Sequence, residues 1–305
     1  MHPASLLQSL DFSHFETDPS PSSTSRLVPP FTLPGYLQTM TLSCIAFTSL
    51  FLTLYYLLSR FTPFRRLDHG KSVARNLAGF LVSGIQAVTA TIAGLIIITQ
   101  TNSDILLAQS SWANWYSAVF VGYLLYDLSL ILLTDLRAKK SLFASIRSHL
   151  AVYIHHLAFT IVAPITLSVR NHRADYIIGC FLLMEVPVIF LHTQNVLAGL
   201  GRSATRLYVY NGLLTIGSYF VFRLAIFPYM FHRLAQRKGT TLLHVHKTLY
   251  TSCILGTIAC ISIQVYWFLM ICRKAYRYTK TQSLQKTVLV EDAKVQEAFI
   301  PKKME

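Results

Sequence analysis

The sequence predicts an all-α fold, a polytopic membrane helical bundle with seven transmembrane helices. Three observations predict it. Of 305 residues, 53% fall in the hydrophobic set and only 13% are charged, about half of the roughly 25% charge of an ordinary soluble domain. Seven apolar runs reach the roughly 17–25 helical residues that crossing a hydrocarbon core requires. No ten-residue segments of alternating hydrophobicity occur, so a barrel has no support, and lipid cannot satisfy the open edges of other sheets. The net charge of +14 would suit nucleic acid on a soluble fold. Here, however, Lys and Arg sit between apolar runs rather than in a surface stripe, so no nucleic-acid partner is expected.

Residues 1–35 are polar and contain Pro19-Ser20-Pro21-Ser22-Ser23 and Val28-Pro29-Pro30; they are expected to be a disordered N-terminal segment. No basic stretch precedes a short apolar core, so no cleavable signal peptide is expected. Tyr36–Leu58 then reads as an uncleaved first transmembrane anchor. The second span, Leu77–Ile98, carries Ser83, Ala87, Ala90, Thr91 and Gly94, a series that suits close helix packing.

The next four spans contain polar residues in an apolar solvent. On Trp115–Leu133, the residues Tyr116, Tyr123 and Asp127 share one face, which Thr134 continues. On His149–Ser168, the residues His149, Tyr153, His156 and Thr160 recur at i, i+4, i+7 and i+11. Tyr176–Leu197 carries Glu185 and His192, seven apart. Gly212–Phe231 carries Thr215 and Ser218, which with Asn211 form a stripe, and Tyr219 and Arg223 lie on a neighbouring face. The seventh span is Leu249–Ile271, and residues 272–305 are expected to be a flexible tail. Pro164, Pro187 and Pro228 can kink three spans, which would free backbone carbonyls to line a cavity.

Orientation follows from the basic residues. With the N-terminus outside, segments on the cytosolic side hold 19 Lys and Arg and those on the other side hold 7. The basic loop at 232–248 is the exception, since this arrangement places it outside. The five cysteines lie in or beside spans, so a disulfide framework is not expected.

A charged side chain at the bilayer centre costs at least about 2.5–3.5 kcal/mol and usually faces a bundle interior or cavity. Asp127, Glu185 and Arg223 are the three formal charges within spans, and the polar seams around them are expected to meet in one buried chamber. His155 and His156 point about 100° apart on a helix. One can therefore act on a substrate while a partner holds the other, and imidazole is suited to moving a proton near neutral pH. The alternatives are interhelical hydrogen bonding and a purely architectural Asp127–Arg223 ion pair. No metal is expected: adjacent histidines do not match the i, i+4 spacing of HExxH, and no CxxC is present.

From Leu77 to Ile271 the chain resembles the TLC domain, the fold of ceramide synthases and related lipid proteins. The resemblance rests on Gly122-Tyr123-Leu124-Leu125-Tyr126-Asp127-Leu128, on His155-His156-Leu157-Ala158-Phe159-Thr160, and on Leu182-Leu183-Met184-Glu185-Val186 with Phe190-Leu191. Tyr210-Asn211-Gly212-Leu213-Leu214-Thr215, Phe222-Arg223-Leu224, Phe227-Pro228-Tyr229-Met230 and Gln264-Val265-Tyr266-Trp267-Phe268 resemble the TLC domain-containing protein 3 branch in particular.

The resemblance implies that the last six spans form a bundle around a lipid cavity in the endoplasmic reticulum membrane. It implies an N-acyltransferase that moves a fatty acyl group from acyl-CoA, the co-substrate, to a sphingoid base, with no tightly bound cofactor. His155, His156, Glu185 and Asp127 would be catalytic, and Tyr123, Tyr153, Thr160, His192 and Arg223 would be the polar lining of the cavity. Met184 stands where the family's His-Asp-x-x-Asp pattern has histidine, and Val188 where it has the second aspartate. Thr160 comes one residue later than the family's His-His-x-x-Thr. These departures leave a non-enzymatic lipid-binding protein that regulates membrane composition as the alternative.

Lys302-Lys303-Met304-Glu305 resembles a dilysine retrieval signal read by the cytosolic coat. It suits a lumenal N-terminus, a cytosolic C-terminus and cycling through the Golgi. Homo- or hetero-oligomers remain open.

Overall fold

Seven helices long and apolar enough to cross a membrane follow one another along the chain. The computed structural model describes residues 32–60, 70–138, 141–170 and 173–299, and their side chains except those of Val169, Ser252 and 282–299. The expected disordered stretch up to residue 31 and the dilysine pair Lys302 and Lys303 lie outside the described residues.

The helices are α1 (Leu33–Arg60), α2 (Gly70–Thr101), α3 (Ser111–Arg137), the short α4 (Leu142–Ser148), α5 (Leu150–Val169), α6 (Asp175–Leu183), α7 (Val186–Gly199), α8 (Arg206–Tyr219), α9 (Ile226–Arg237) and α10 (Thr251–Phe299). A π turn at Phe220–Ala225 joins α8 to α9, and α6 with α7 makes one broken span. No strand occurs among the described residues. Each predicted span falls on one of the seven membrane helices, and most helices run further into the polar flanks, although α5 and α10 start one and two residues later than predicted. Ser110, for example, caps α3 by accepting the Trp112 N–H, which satisfies a donor that helix geometry leaves free.

The last element corrects an expectation. Residues 272–299, expected as flexible tail, continue α10 as helix. They contain no Gly or Pro and are rich in Lys, Gln, Glu, Ala and Leu, residues that lose little on entering a helix. Similarly, α1 starts at Leu33 rather than Tyr36.

Glycines set two close crossings. A Cβ on Gly122 would sit 2.3 Å from the Met40 carbonyl oxygen and 2.7 Å from the Ser43 Cβ, so α1 lies backbone-close on α3. Ser43 Oγ donates to the Val119 carbonyl there at 2.8 Å, and Phe47 and Phe51 pack on Tyr123 and Tyr126. The first span is thus packed into the bundle as well as anchoring the chain. Gly94 of α2 and Gly179 of α6 face each other, and a Cβ on either would meet the other's carbonyl at 2.8 or 3.1 Å. Ala87 and Ala90 are fully buried on α2, as the small-residue series predicts.

Polar contacts tie three loops together at one end. Arg237 makes hydrogen bonds of 2.9–3.1 Å with the Asp104 carboxylate, and Arg233 donates to Asn102 Oδ1 at 2.9 Å. Asp175 accepts from Arg170 and, at 2.7 Å, from the Ser110 N–H. The start of the basic 232–248 loop therefore lies at the same end as the 102–110 loop, as alternating spans require. Large apolar side chains on α5 and α10, among them Ile154, Leu157, Ile161, Leu255 and Ile258, point away from the bundle, and lipid covers such surfaces without the penalty of water.

Candidate functional site

Four helical segments place polar side chains toward the bundle interior. On α5, His156 is buried and its Nδ1 stands 3.7 Å from Asp127 Oδ2 of α3. That separation is too long for a hydrogen bond, and the buried Nδ1 has no other partner. His155, one residue earlier, is held edge-on by Phe159 at 4.8 Å and Trp267 of α10 at 4.9 Å. Thr160 donates to the His156 carbonyl at 2.8 Å, so its hydroxyl is engaged within its own helix.

Glu185 lies at the break between α6 and α7, and the cause is local. Pro187 has no N–H, so the helical bond to Leu183 cannot form and the chain tightens. The Val188 N–H then bonds Glu185 O at 2.9 Å rather than the Met184 carbonyl one turn back. The freed Met184 carbonyl accepts Arg223 Nε at 2.5 Å. Arg223 also donates to Glu185 Oε1 at 3.0 Å and to Gln264 Oε1 at 3.2 Å, and Tyr219 donates to the same Gln264 oxygen at 2.8 Å. The π turn that carries Arg223 is a type of helical irregularity that concentrates at functional positions.

These two groups share one field. Glu185 acts electrostatically on Asp127, Tyr116 and Tyr123, and Arg223 acts on His155. Asp127 keeps 20% of its side-chain surface open, Glu185 12% and His156 11%, so the site is enclosed without being sealed. Tyr116 shares a 2.7 Å hydrogen bond with Thr89, and Tyr123 pairs with Ser83, which fixes both tyrosines against α2.

The expected single chamber is divided in three respects. Tyr153 turns toward a separate cluster in which its hydroxyl lies 3.2 Å from Ser145 Oγ and Ser145 donates to Asp135 at 2.8 Å. His149 is 3.3 Å from the same Asp135 oxygen. His192 packs tilted against Phe80 of α2 at 5.8 Å, with its buried Nδ1 unbonded. Asn211 bonds the Phe190 carbonyl and Gln194 at 2.8 and 2.7 Å, an interhelical tie. The alternative Asp127–Arg223 pair does not form: Arg223 pairs with Glu185, and Asp127 faces His156.

Gln264, 1% exposed, and the Met184 carbonyl are members that pattern reading missed. A lone amide inside the apolar seventh span was the available signal for Gln264. For the carbonyl the signal was Pro187, which frees backbone acceptors near it without telling which one turns inward. Among the described residues, no group of three His, Cys, Asp or Glu side chains converges as a metal would need.

The arrangement can take up a proton at an imidazole backed by a carboxylate, beside a fixed ion pair in a low-dielectric site. Residues 79–273 match the family model TRAM_LAG1_CLN8, described as the TLC domain, within two residues of the limits read from the sequence. No solved structure matches the chain.

Proposed function

The chain belongs to the TLC-domain family of multi-pass membrane proteins, and on that premise we propose that it is a lipid-modifying N-acyltransferase. Its substrates are a fatty acyl-CoA and a sphingoid base, and its product is a ceramide. The observation that carries this reading is the approach of His156 Nδ1 to Asp127 Oδ2 at 3.7 Å across two helices.

With Nδ1 turned to Asp127, His156 offers Nε2 as the base. The amine nitrogen attacks the thioester carbonyl carbon, the C–N bond forms and the C–S bond breaks. The proton passes from nitrogen to His156 Nε2 and then to the CoA sulfur, which leaves as thiol. Asp127 stabilises the transient imidazolium, as a carboxylate behind a catalytic imidazole does. Closure of the resting gap into a hydrogen bond accompanies substrate binding, since such contacts are often long in unliganded sites. Glu185 is the weaker candidate for that role because Arg223 already holds it at 3.0 Å. Its pair with Arg223 positions α7 against the π turn and Gln264.

Membership of the TLC domain-containing protein 3 branch, residence in the endoplasmic reticulum and a lumenal N-terminus belong to the same proposal. The sequence runs at 210–215 and 222–230 and the basic asymmetry support them. A second reading, a lipid-binding protein without chemistry, is favoured by one feature: Met184 and Val188 leave Glu185 as the sole acid of its helix break, and it is engaged by Arg223.

The test uses microsomes from cells that lack their own ceramide synthases. Labelled sphinganine and acyl-CoAs of several lengths are added to the chain and to its His156→Ala and Asp127→Asn variants. Ceramide formed by the wild type and lost in His156→Ala at equal abundance is expected. No product above empty vector, with lipid binding retained, selects the second reading.

A further inference from the structure

Two chain segments without acidic residues meet at the end of the bundle where α7 passes into α8. Tyr278 of α10 donates its hydroxyl to the Ser203 carbonyl at 2.7 Å, and its ring lies 5.4 Å from that of Tyr208. These contacts bring the segment of Arg202 and Arg206 to the part of α10 that carries Lys274 on the face of Tyr278, with Arg277 and Arg273 about 100° and 140° round the same helix. Lys274 lies one turn from Tyr278 on the same face, and Arg273 and Arg277 are likewise one turn apart. All five basic side chains are exposed, and none forms an ion pair among the described residues. From Val186 to Thr215 and from Phe268 to Val290 the sequence contains no Asp or Glu.

We propose that Arg202, Arg206, Arg273, Lys274 and Arg277 form a binding surface for a ligand that carries clustered phosphate groups. Membrane topology alone asks only for basic residues on one side of the bilayer, spread in any manner. It gives no reason for a tyrosine to fasten two basic segments 75 residues apart. Holding like charges together costs repulsion that a polyanion removes, and guanidinium groups meet phosphate oxygens with paired hydrogen bonds. Polybasic clusters directly beside a membrane helix are also where phosphorylated lipid head groups bind. Two sources present this chemistry: a polyphosphorylated lipid head group in the adjacent leaflet, and a soluble polyphosphate such as the nucleotide end of CoA. The surface does not depend on acyl transfer at His156, so each can fail without the other.

The experiment uses the full chain purified in neutral detergent. Binding of a fluorescent short-chain phosphatidylinositol bisphosphate, and separately of fluorescent CoA, is titrated at about 0.1 M and about 1 M salt, where charges are felt over ~10 Å and ~3 Å respectively. The double variants Arg202→Gln with Arg206→Gln, and Arg273→Gln with Arg277→Gln, are each expected to bind at least about tenfold more weakly than wild type. High salt should weaken the wild type in the same direction. Whichever probe shows this dependence on both segments identifies the source. Binding of neither probe at low salt, or wild-type affinity in either double variant with an unchanged unfolding midpoint, overturns the proposal. The substituted side chains are exposed, so the unfolding midpoint serves as the control for folding.

Discussion

Arg223 and Glu185 form a 3.0 Å ion pair between two places where helical backbone regularity is broken. One is the π turn at Phe220–Ala225 and the other is the interruption ahead of Pro187. Both charges are largely buried, with 7% and 12% of their side-chain surfaces open. Their mutual attraction must offset desolvation, so the pair depends on the additional bonds from the Met184 carbonyl and Gln264.

Removing one partner strands the other. Glu185→Leu or Arg223→Leu alone is expected to destabilise the protein by about 3–5 kcal/mol, whereas the double replacement loses much less than the sum. Unfolding of the detergent-solubilised protein, followed in a double-mutant cycle, measures this. Additive losses would show that the two side chains do not depend on each other.

Pro187 acts on the same pair through the backbone. Pro187→Ala restores an N–H at that position and favours a continuous helix through 183–188. The Met184 carbonyl would then return to the helical ladder and Arg223 Nε would lose its 2.5 Å acceptor. The regained helical bond offsets the lost contact only in part, so stability is expected to hold or fall while acyl transfer falls, read by an unfolding midpoint beside an activity assay. Unchanged activity in a folded protein would separate the helix break from the chemistry.

The base is tested by replacing it. His156→Ala is expected to lower acyl transfer by about 10²–10⁴-fold, the usual contribution of a positioned general base. Asp127→Asn should fall in the same range, because a neutral amide does not stabilise the imidazolium. Both variants should still bind labelled sphingoid base. Turnover rates and equilibrium binding on the same preparations make the comparison, and loss of binding along with turnover would mark the pair as structural.

The spans were legible because lipid leaves backbone groups no partner except their own helix, so apolar length alone locates helices. The helix ends were less so. Residues 272–299 are polar enough to read as tail, and only their lack of Gly and Pro foretold helix. The site was legible in its members and not in its pairings. His156 facing Asp127 follows from helix faces, but Glu185 meeting Arg223 does not. Pro187 and the π turn each rotate the chain away from the 3.6-residue period on which stripe reasoning rests. Tyr153 followed the predicted stripe, yet found Ser145 on the short α4, an element absent from any span.

Acid should loosen the end of the bundle where Asp104 meets Arg237. Partial burial pushes the Asp104 carboxyl up, but hydrogen bonds from Arg237 and from the Leu106 and Leu107 N–H groups outweigh it and hold it below the usual carboxylate range. A group lowered by folding contributes stability above its unfolded value and loses it as pH falls through its folded one. Hydrogen exchange over 102–108 and 232–240 is therefore expected to stay slow through mild acid and quicken only below the ordinary aspartate range. In Asp104→Asn the same segments should exchange faster at neutral pH and lack that acid step. Identical profiles for the two proteins would place the acid response elsewhere.

Two glycines on membrane helices give opposite expectations for the same substitution. Gly122→Ala places a Cβ 2.3 Å from the Met40 carbonyl oxygen and 2.7 Å from the Ser43 Cβ. Backbone and Cβ atoms cannot swing aside as a flexible side-chain tip can, so α1 must move off α3. That movement lengthens the 2.8 Å bond from Ser43 to Val119 and opens the packing of Phe47 and Phe51 on Tyr123 and Tyr126. The expected loss is about 1–3 kcal/mol, the usual cost of forcing atoms into a filled core. Gly217→Ala, on α8, meets nothing within 4 Å. Alanine there gains the helix preference of roughly 1 kcal/mol that glycine forgoes, so stability should rise or stay level. Unfolding midpoints of the two variants beside the wild type decide the matter. A Gly122→Ala protein as stable as Gly217→Ala would mean that α1 is a loosely held anchor rather than part of the bundle.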